Sequence, residues 1–129
     1  MPKSRVNREA ELEALFQRAD EQYEKGNYKS AFRLCLAAAK GGSLSGQLNL
    51  GYFYKNGIGV KPNRKFALYW TRRAYRQGSG AAAHNIGLIF RDERKFNRAI
   101  AWFERAVRLN DGDANLEIAK IYLQKNDGK

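Results

Sequence analysis

The sequence predicts an all-α fold of antiparallel helix pairs, about three and a half repeats and seven helices across residues 1–129. Three observations carry that expectation. First, the chain repeats itself, the signature to look for before any other. Gln47 to Tyr54 aligns with Ala83 to Phe90, so that Asn, an aliphatic residue, Gly and an aromatic residue recur 36 positions apart. Ala31, Leu34, Ala38 and Gly42 likewise precede Ala67, Trp70, Ala74 and Gly78 by 36 positions, while Ala67, Trp70 and Ala74 return as Ala99, Trp102 and Ala106 after 32. The shorter step reflects the Gly57-Ile58-Gly59-Val60 insert, which the third copy lacks. Second, apolar residues fall at spacings of three and four. Third, no stretch alternates apolar and polar residues for long, so strands are not expected.

The elements follow in order. Glu9 to Glu24 carries Leu12, Leu15, Phe16, Ala19 and Tyr23 on one helical stripe and stops at Gly26. Asn27 is placed to cap a second helix bearing Tyr28, Ala31, Leu34, Cys35 and Ala38, which ends at Gly41-Gly42. Ser43 starts a third that runs to Asn56-Gly57. Asn63 caps a fourth, through Gln77 to the stop at Gly78, and Ser79 opens a fifth through Arg91. The sixth spans Lys95 to Asn110, and Asp113 begins a seventh that reaches Lys125. Gly51, Gly87, Ala38, Ala74 and Ala106 are small where paired helices must approach closely. The repeats are therefore 9–42, 43–78 and 79–110, with a terminal capping helix at 113–125, all in one domain.

Composition narrows the function. Hydrophobic residues at 43% and charged residues at 29% suit a globular chain rather than a disordered one. No apolar run approaches the ~18 residues of a membrane span. Met1 to Arg5 has no apolar stretch behind it, so no secretory signal is expected, and a cytoplasmic location is. One cysteine, Cys35, cannot form an internal disulfide, and one histidine, His84, cannot anchor a metal site that needs about four ligands. No metal or cofactor is expected. Gly57-x-Gly59 runs into Val60-Lys61-Pro62 without a preceding strand, so it is not a phosphate loop. No nucleophile, base and orienting acid can be nominated together, and an enzyme is not expected.

Charge points to a partner. The net charge is +11, and the acid-free stretch from Lys25 to Arg91 holds twelve basic side chains. The remainder has twelve bases and thirteen acids, so the middle carries the whole excess. An acidic protein, a nucleic acid or an anionic lipid would meet such a surface favourably.

The string Leu50-Gly51-x-x-Tyr54-x-x-Gly57-x-Gly59-Val60, followed by Ala67-x-x-Trp70-x-x-x-Ala74-x-x-x-Gly78, resembles the Sel-one-like repeat. The third unit, with Gly87, Phe90, Ala99, Phe103 and Ala106, is similar to a plain tetratricopeptide repeat, and the first has Ala19 in place of the glycine. The resemblance implies a right-handed superhelical solenoid whose first helices line a concave groove that binds protein segments. Asn63 stands where the family usually has an acid, and the loop before Asp111 lacks the common proline.

By repeat register the groove positions are Leu48, Asn49, Tyr52 and Lys55 in the second unit and His84, Asn85, Leu88 and Arg91 in the third. Asn56 and Asp92 flank them, and Phe16, Asp20 and Tyr23 are their first-unit counterparts. Asn49 and Asn85 are placed to hold a ligand backbone, Tyr52 and Leu88 to anchor it, and Lys55 and Arg91 to attract acidic residues or a carboxylate. The expected partner is an acidic protein or peptide. The alternative surface is the fourth helix, where Arg64, Lys65, Arg72, Arg73 and Arg76 surround Tyr69 and would suit a nucleic-acid backbone or a ribosome.

Overall fold

In the computed structural model, which describes residues 4–126, seven helices follow one another. They are α1 (Arg5–Glu24), α2 (Tyr28–Lys40), α3 (Leu44–Asn56), α4 (Arg64–Arg76), α5 (Gly80–Asp92), α6 (Phe96–Arg108) and α7 (Ala114–Asn126). The described residues include no strand.

Short polar side chains start the helices where the sequence placed them. Ser43 Oγ accepts the Gly46 N–H at 3.0 Å, Ser79 Oγ accepts that of Ala82 at 3.0 Å, and Asn63 Oδ1 accepts that of Phe66 at 2.9 Å. Two expectations are corrected. The first helix begins at Arg5 rather than Glu9, because Ser4 Oγ accepts the Asn7 N–H at 3.1 Å and caps a first turn whose one apolar side chain, Val6, is exposed. Asn27 occupies the cap position of α2 but makes no side-chain cap bond; its amide donates instead to Gln22 Oε1 at 2.9 Å, tying the turn back to α1.

The chain folds as two compact units, Met1–Arg73 and Ala74–Lys129. In the first, α2 packs on both α1 and α3. Ala19, Ala31, Cys35, Ala39, Leu50, Phe53 and Trp70 form a buried cluster, bordered by half-buried side chains that include Tyr23, Phe32 and Tyr54. A Cβ on Gly51 would overlap Thr71 Oγ1, so α3 and the middle of α4 meet with no room for a methyl group. The insert is a folded loop. The Ile58 N–H donates to the Phe53 carbonyl at 3.0 Å and the Asn63 N–H to the Tyr54 carbonyl at 2.8 Å. Gly59, at φ +69°, lies against the Tyr28 carbonyl so closely that a Cβ would overlap it.

In the second unit α5 pairs with α6, and a Cβ on Gly87 would come within 2.5 Å of the Phe103 ring. Phe103, Ala99 and Ala106 are fully buried. Trp102 sets its ring edge-on to Tyr75 at 5.0 Å, and the Arg105 guanidinium lies 4.4 Å from the Trp102 centroid. The last helix, α7, packs on α6 and buries Ala114 and Ile121. On its other side Leu116, Tyr122 and Leu123 are 60%, 53% and 66% exposed. Its apolar residues occupy more of the helix than the face turned to α6, so an apolar surface stays open where a cap would be polar.

Gly59 and Gly26 separate strain from crowding. Both have positive φ, but only Gly59 has a neighbour where a methyl group would go. Gly26→Ala should lower stability by about 1–2 kcal/mol from left-handed strain alone. Gly59→Ala should lose about 1–3 kcal/mol more from overpacking on Tyr28. Urea unfolding of the two variants gives the comparison, and equal losses would contradict the tight seating of the insert.

Candidate functional site

On the first unit, α1 and α3 present their outward turns on either side of a cleft of about 210 Å³. From α1 come Asp20, Tyr23 and Glu24, from α3 Asn49 and Tyr52, and the buried Cys35 of α2 lies at the base. The wall is aromatic, with Tyr23 stacked on Phe53 at 5.8 Å and an interplanar angle of 19°. Tyr52 is 51% exposed, and Asn49 is half-buried. Among the described residues the side chains of Asp20, Glu24 and Asn49 have no hydrogen-bond or ion-pair partner.

Burial pushes the Cys35 thiol up from 9.0 to about 11, and the nearby Asp20 carboxylate adds to the rise. The thiol at the base is therefore protonated and inert at neutral pH. Burial also raises the Tyr54 hydroxyl.

Register thus brings Asp20, Tyr23, Asn49 and Tyr52 together around one opening. Leu48, Lys55 and Phe16 are half-buried beside it without lining it. Sequence reasoning missed two members. Glu24 entered only as the end of the first helix, although its place one turn beyond Asp20 was the available signal. Cys35 entered as an apolar position of the second helix, and its buried side chain also lines the cleft.

The second unit is different, because its polar groove positions have found partners. His84 Nδ1 pairs with Asp111 Oδ2 at 3.1 Å, and the ring stands edge-on to Phe103 at 5.5 Å. Arg91 Nη1 donates to Glu117 Oε2 of α7 at 2.6 Å and Nη2 to Asp92 Oδ1 at 3.0 Å. The expectation that Arg91 offers an uncompensated charge to an acidic ligand is corrected, since two carboxylates balance it. Asn85 and Leu88 are half-buried on the same helix. Between α6 and α7, Ile100 and Val107 face Ile118 and Tyr122 across a shallow groove of about 330 Å³ that the sequence did not suggest.

On α4, Arg64, Lys65, Arg72 and Arg76 are exposed. Arg73 is committed to its own helix: its guanidinium lies 5.2 Å from the Trp70 centroid and 5.7 Å from that of Tyr69, and Nη1 donates to the Tyr69 hydroxyl at 3.0 Å. Tyr69 also stands edge-on to Trp70 at 5.2 Å. No described helix is long and apolar enough to cross a membrane.

A chain of capped helical hairpins with side chains gathered on the first-helix face defines a helical-repeat protein. The Sel1 repeat model matches residues 13–43 and 44–79, and a tetratricopeptide repeat model matches residues 81–113. The chain belongs to the Sel1 repeat family, and its third unit is of tetratricopeptide type. Repeats of both kinds generally serve as protein–protein interaction modules.

Residues of this chain are 28% identical over 86 positions to a sel1-like repeat-containing protein of Acanthamoeba polyphaga mimivirus, 67% of this chain and 16% of that protein. The crystal structure of a Sel1 repeat protein from Oxalobacter formigenes is similar with a TM-score of 0.73 and 25% identity, covering 90% of this chain and 51% of that one. A protective antigen of uropathogenic Escherichia coli displaying an SLR fold also has a TM-score of 0.73, at 21% identity, over 86% of this chain and 26% of its own. The chain thus spans a sixth to a half of the length of these relatives.

The thiol gives a measurement of how closed the cleft base is. A pKa raised to about 11 favours the fold fully below pH 9.0, and that contribution is lost as pH climbs through about 11. At pH 8 iodoacetamide should alkylate Cys35 about a hundredfold more slowly in the folded chain than in urea. Equal rates, read by mass spectrometry, would place the thiol in solvent.

Proposed function

We propose that this chain is a non-catalytic binding module that takes a protein segment on its first-helix faces, with the cleft of the first unit as the principal contact. The observation that carries the reading is the pairing of an unpartnered amide, Asn49, with a half-exposed aromatic residue, Tyr52, on one opening. Such an amide suits a peptide backbone, and an aromatic side chain supplies contact area at small entropic cost. Leu88 and Asn85 offer the corresponding pair on the second unit. Acidity of the partner loses its support, because Arg91 is balanced and the first cleft is lined by carboxylates. A cytoplasmic home accords with the reduced, buried thiol.

A second reading has one observation in its favour. Arg64, Lys65, Arg72 and Arg76 are exposed along α4 within the acid-free stretch, and such residues contact nucleic-acid phosphates. The engagement of Tyr69 by Arg73 weighs against base stacking there.

A random peptide library displayed on phage and selected on the full chain tests the first reading. Tyr52→Ala and Asn49→Ala should each weaken selected binders about tenfold, or 1.4 kcal/mol. The double reversal Arg72→Glu, Arg76→Glu should leave them nearly unchanged. The opposite ranking, with single-stranded RNA binding that falls steeply as salt rises, would transfer the function to α4.

A further inference from the structure

We infer that the cleft of the first unit receives an arginine side chain of the bound protein segment. The inference rests on the reading of that cleft as the principal contact and adds the chemistry of what enters it.

Charge complementarity comes first. In a chain of net charge +11, the cleft is an acidic exception. Six acids and three bases lie on α1, so its surroundings are negative as well. Asp20 and Glu24 project from successive turns of one helix face, and among the described residues neither has an ion-pair partner. Basic side chains are abundant in this chain, yet among the described residues none pairs with these two carboxylates. A cation from another molecule would meet both without displacing an internal partner.

Shape selects among cations. The wall of stacked Tyr23 and Phe53 and the exposed ring of Tyr52 offer flat aromatic surface beside the carboxylates. A guanidinium is planar, stacks on aromatic faces and spreads its donors in a fork, whereas an ammonium is a compact, strongly hydrated point charge. Two acids one helical turn apart, next to aromatic rings, match the planar fork better. The Asn49 amide stands beside them to accept from or donate to the backbone that carries the arginine. Small residues at the recess, Ala19 and Cys35, leave space for the methylenes of the side chain.

The test is an NMR titration of the 15N-labelled full chain with five-residue capped peptides, Gly-Ser-X-Ser-Gly, in which X is arginine, lysine, citrulline or glutamate. The arginine peptide should bind in the millimolar range, with shifts concentrated at the amides of residues 19–24 and 49–53. Lysine should bind several-fold more weakly, and citrulline and glutamate should leave those amides unmoved. The double variant Asp20→Asn, Glu24→Gln should weaken the arginine peptide about tenfold or more at low salt, with the far-ultraviolet spectrum unchanged. The citrulline peptide asks the same question of unaltered protein, should that variant be poorly folded. Arginine and citrulline binding alike, or glutamate shifting the cleft amides more than arginine, would overturn the inference. If library-selected peptides bind at Tyr52 while the arginine peptide moves nothing there, the arginine pocket falls and the protein-binding reading stands. If no peptide of either kind perturbs the first-helix faces, both fall.

Discussion

The structure depends on how closely the helices of each pair approach one another. Gly51 meets Thr71, Gly87 meets the Phe103 ring and Gly46 meets Ala38 and Ala39, each at a distance where a side chain would collide. Ala31, Ala38, Ala67, Ala74, Ala99 and Ala106 are fully buried at the recurring small positions. These alanines offer little apolar area of their own. Their value is that they let larger neighbours, such as Leu50, Ile86 and Phe103, bury completely, each contributing roughly 1.5–3 kcal/mol. A close-packed interior tolerates neither a void nor an extra methylene at such seams.

The same constraint decides where the polar side chains end up. With the small residues facing inward, the outward turns of the first helices are free to carry almost anything, and the two units have used that freedom differently. In the second, His84 reaches Asp111 and Arg91 reaches Glu117, so the imidazole and the guanidinium are tied to acids from the α6–α7 connection and from α7. These bonds tie the face to the α6–α7 connection and to α7. In the first, the acids of α1 meet no such partners at Asp20 and Glu24, and the face keeps a local field opposite in sign to the rest of the chain.

Most of the fold was legible because repeat spacing and helix punctuation are local. Ser43, Asn63 and Ser79 cap as their side-chain chemistry demands, and the insert closes on glycines that tolerate positive φ. The misreadings have physical causes. The first turn of α1 holds a single apolar residue, the exposed Val6, so apolar periodicity could not reveal it. The amide nitrogen of Asn27 donates to the side chain of Gln22, five residues back, and its oxygen accepts no cap bond from α2. The open surface of α7 was hidden because Leu116, Ile118 and Tyr122 fit a helical stripe, while the pattern does not say how much of a stripe its neighbour covers. At the candidate site, register placed Asp20, Tyr23, Asn49 and Tyr52 on equivalent helix faces, and these four line one cleft. It could not supply the partners of His84 and Arg91, which arrive from 27 and 26 residues away. Net charge could not reveal the acidic lining of the cleft either, because it sums over the whole chain.

The cleft itself is a by-product of the packing rule. Ala19 stands where the repeat pattern would have glycine, small enough for α1 to lie close on α2, and Cys35 sits opposite it in the buried cluster. Two small residues side by side leave a recess that the flanking Tyr23, Phe53 and Tyr52 frame without filling, because stacking holds Tyr23 against Phe53. The recess is thus fixed by residues whose replacement would disturb the core, whereas its chemistry is set by Asp20, Glu24 and Asn49, which the core does not need. Shape and charge therefore rest on separate residues. Substitutions at the three polar positions can change what the cleft prefers at little cost to the fold, as expected where a rigid scaffold carries an adjustable recognition surface.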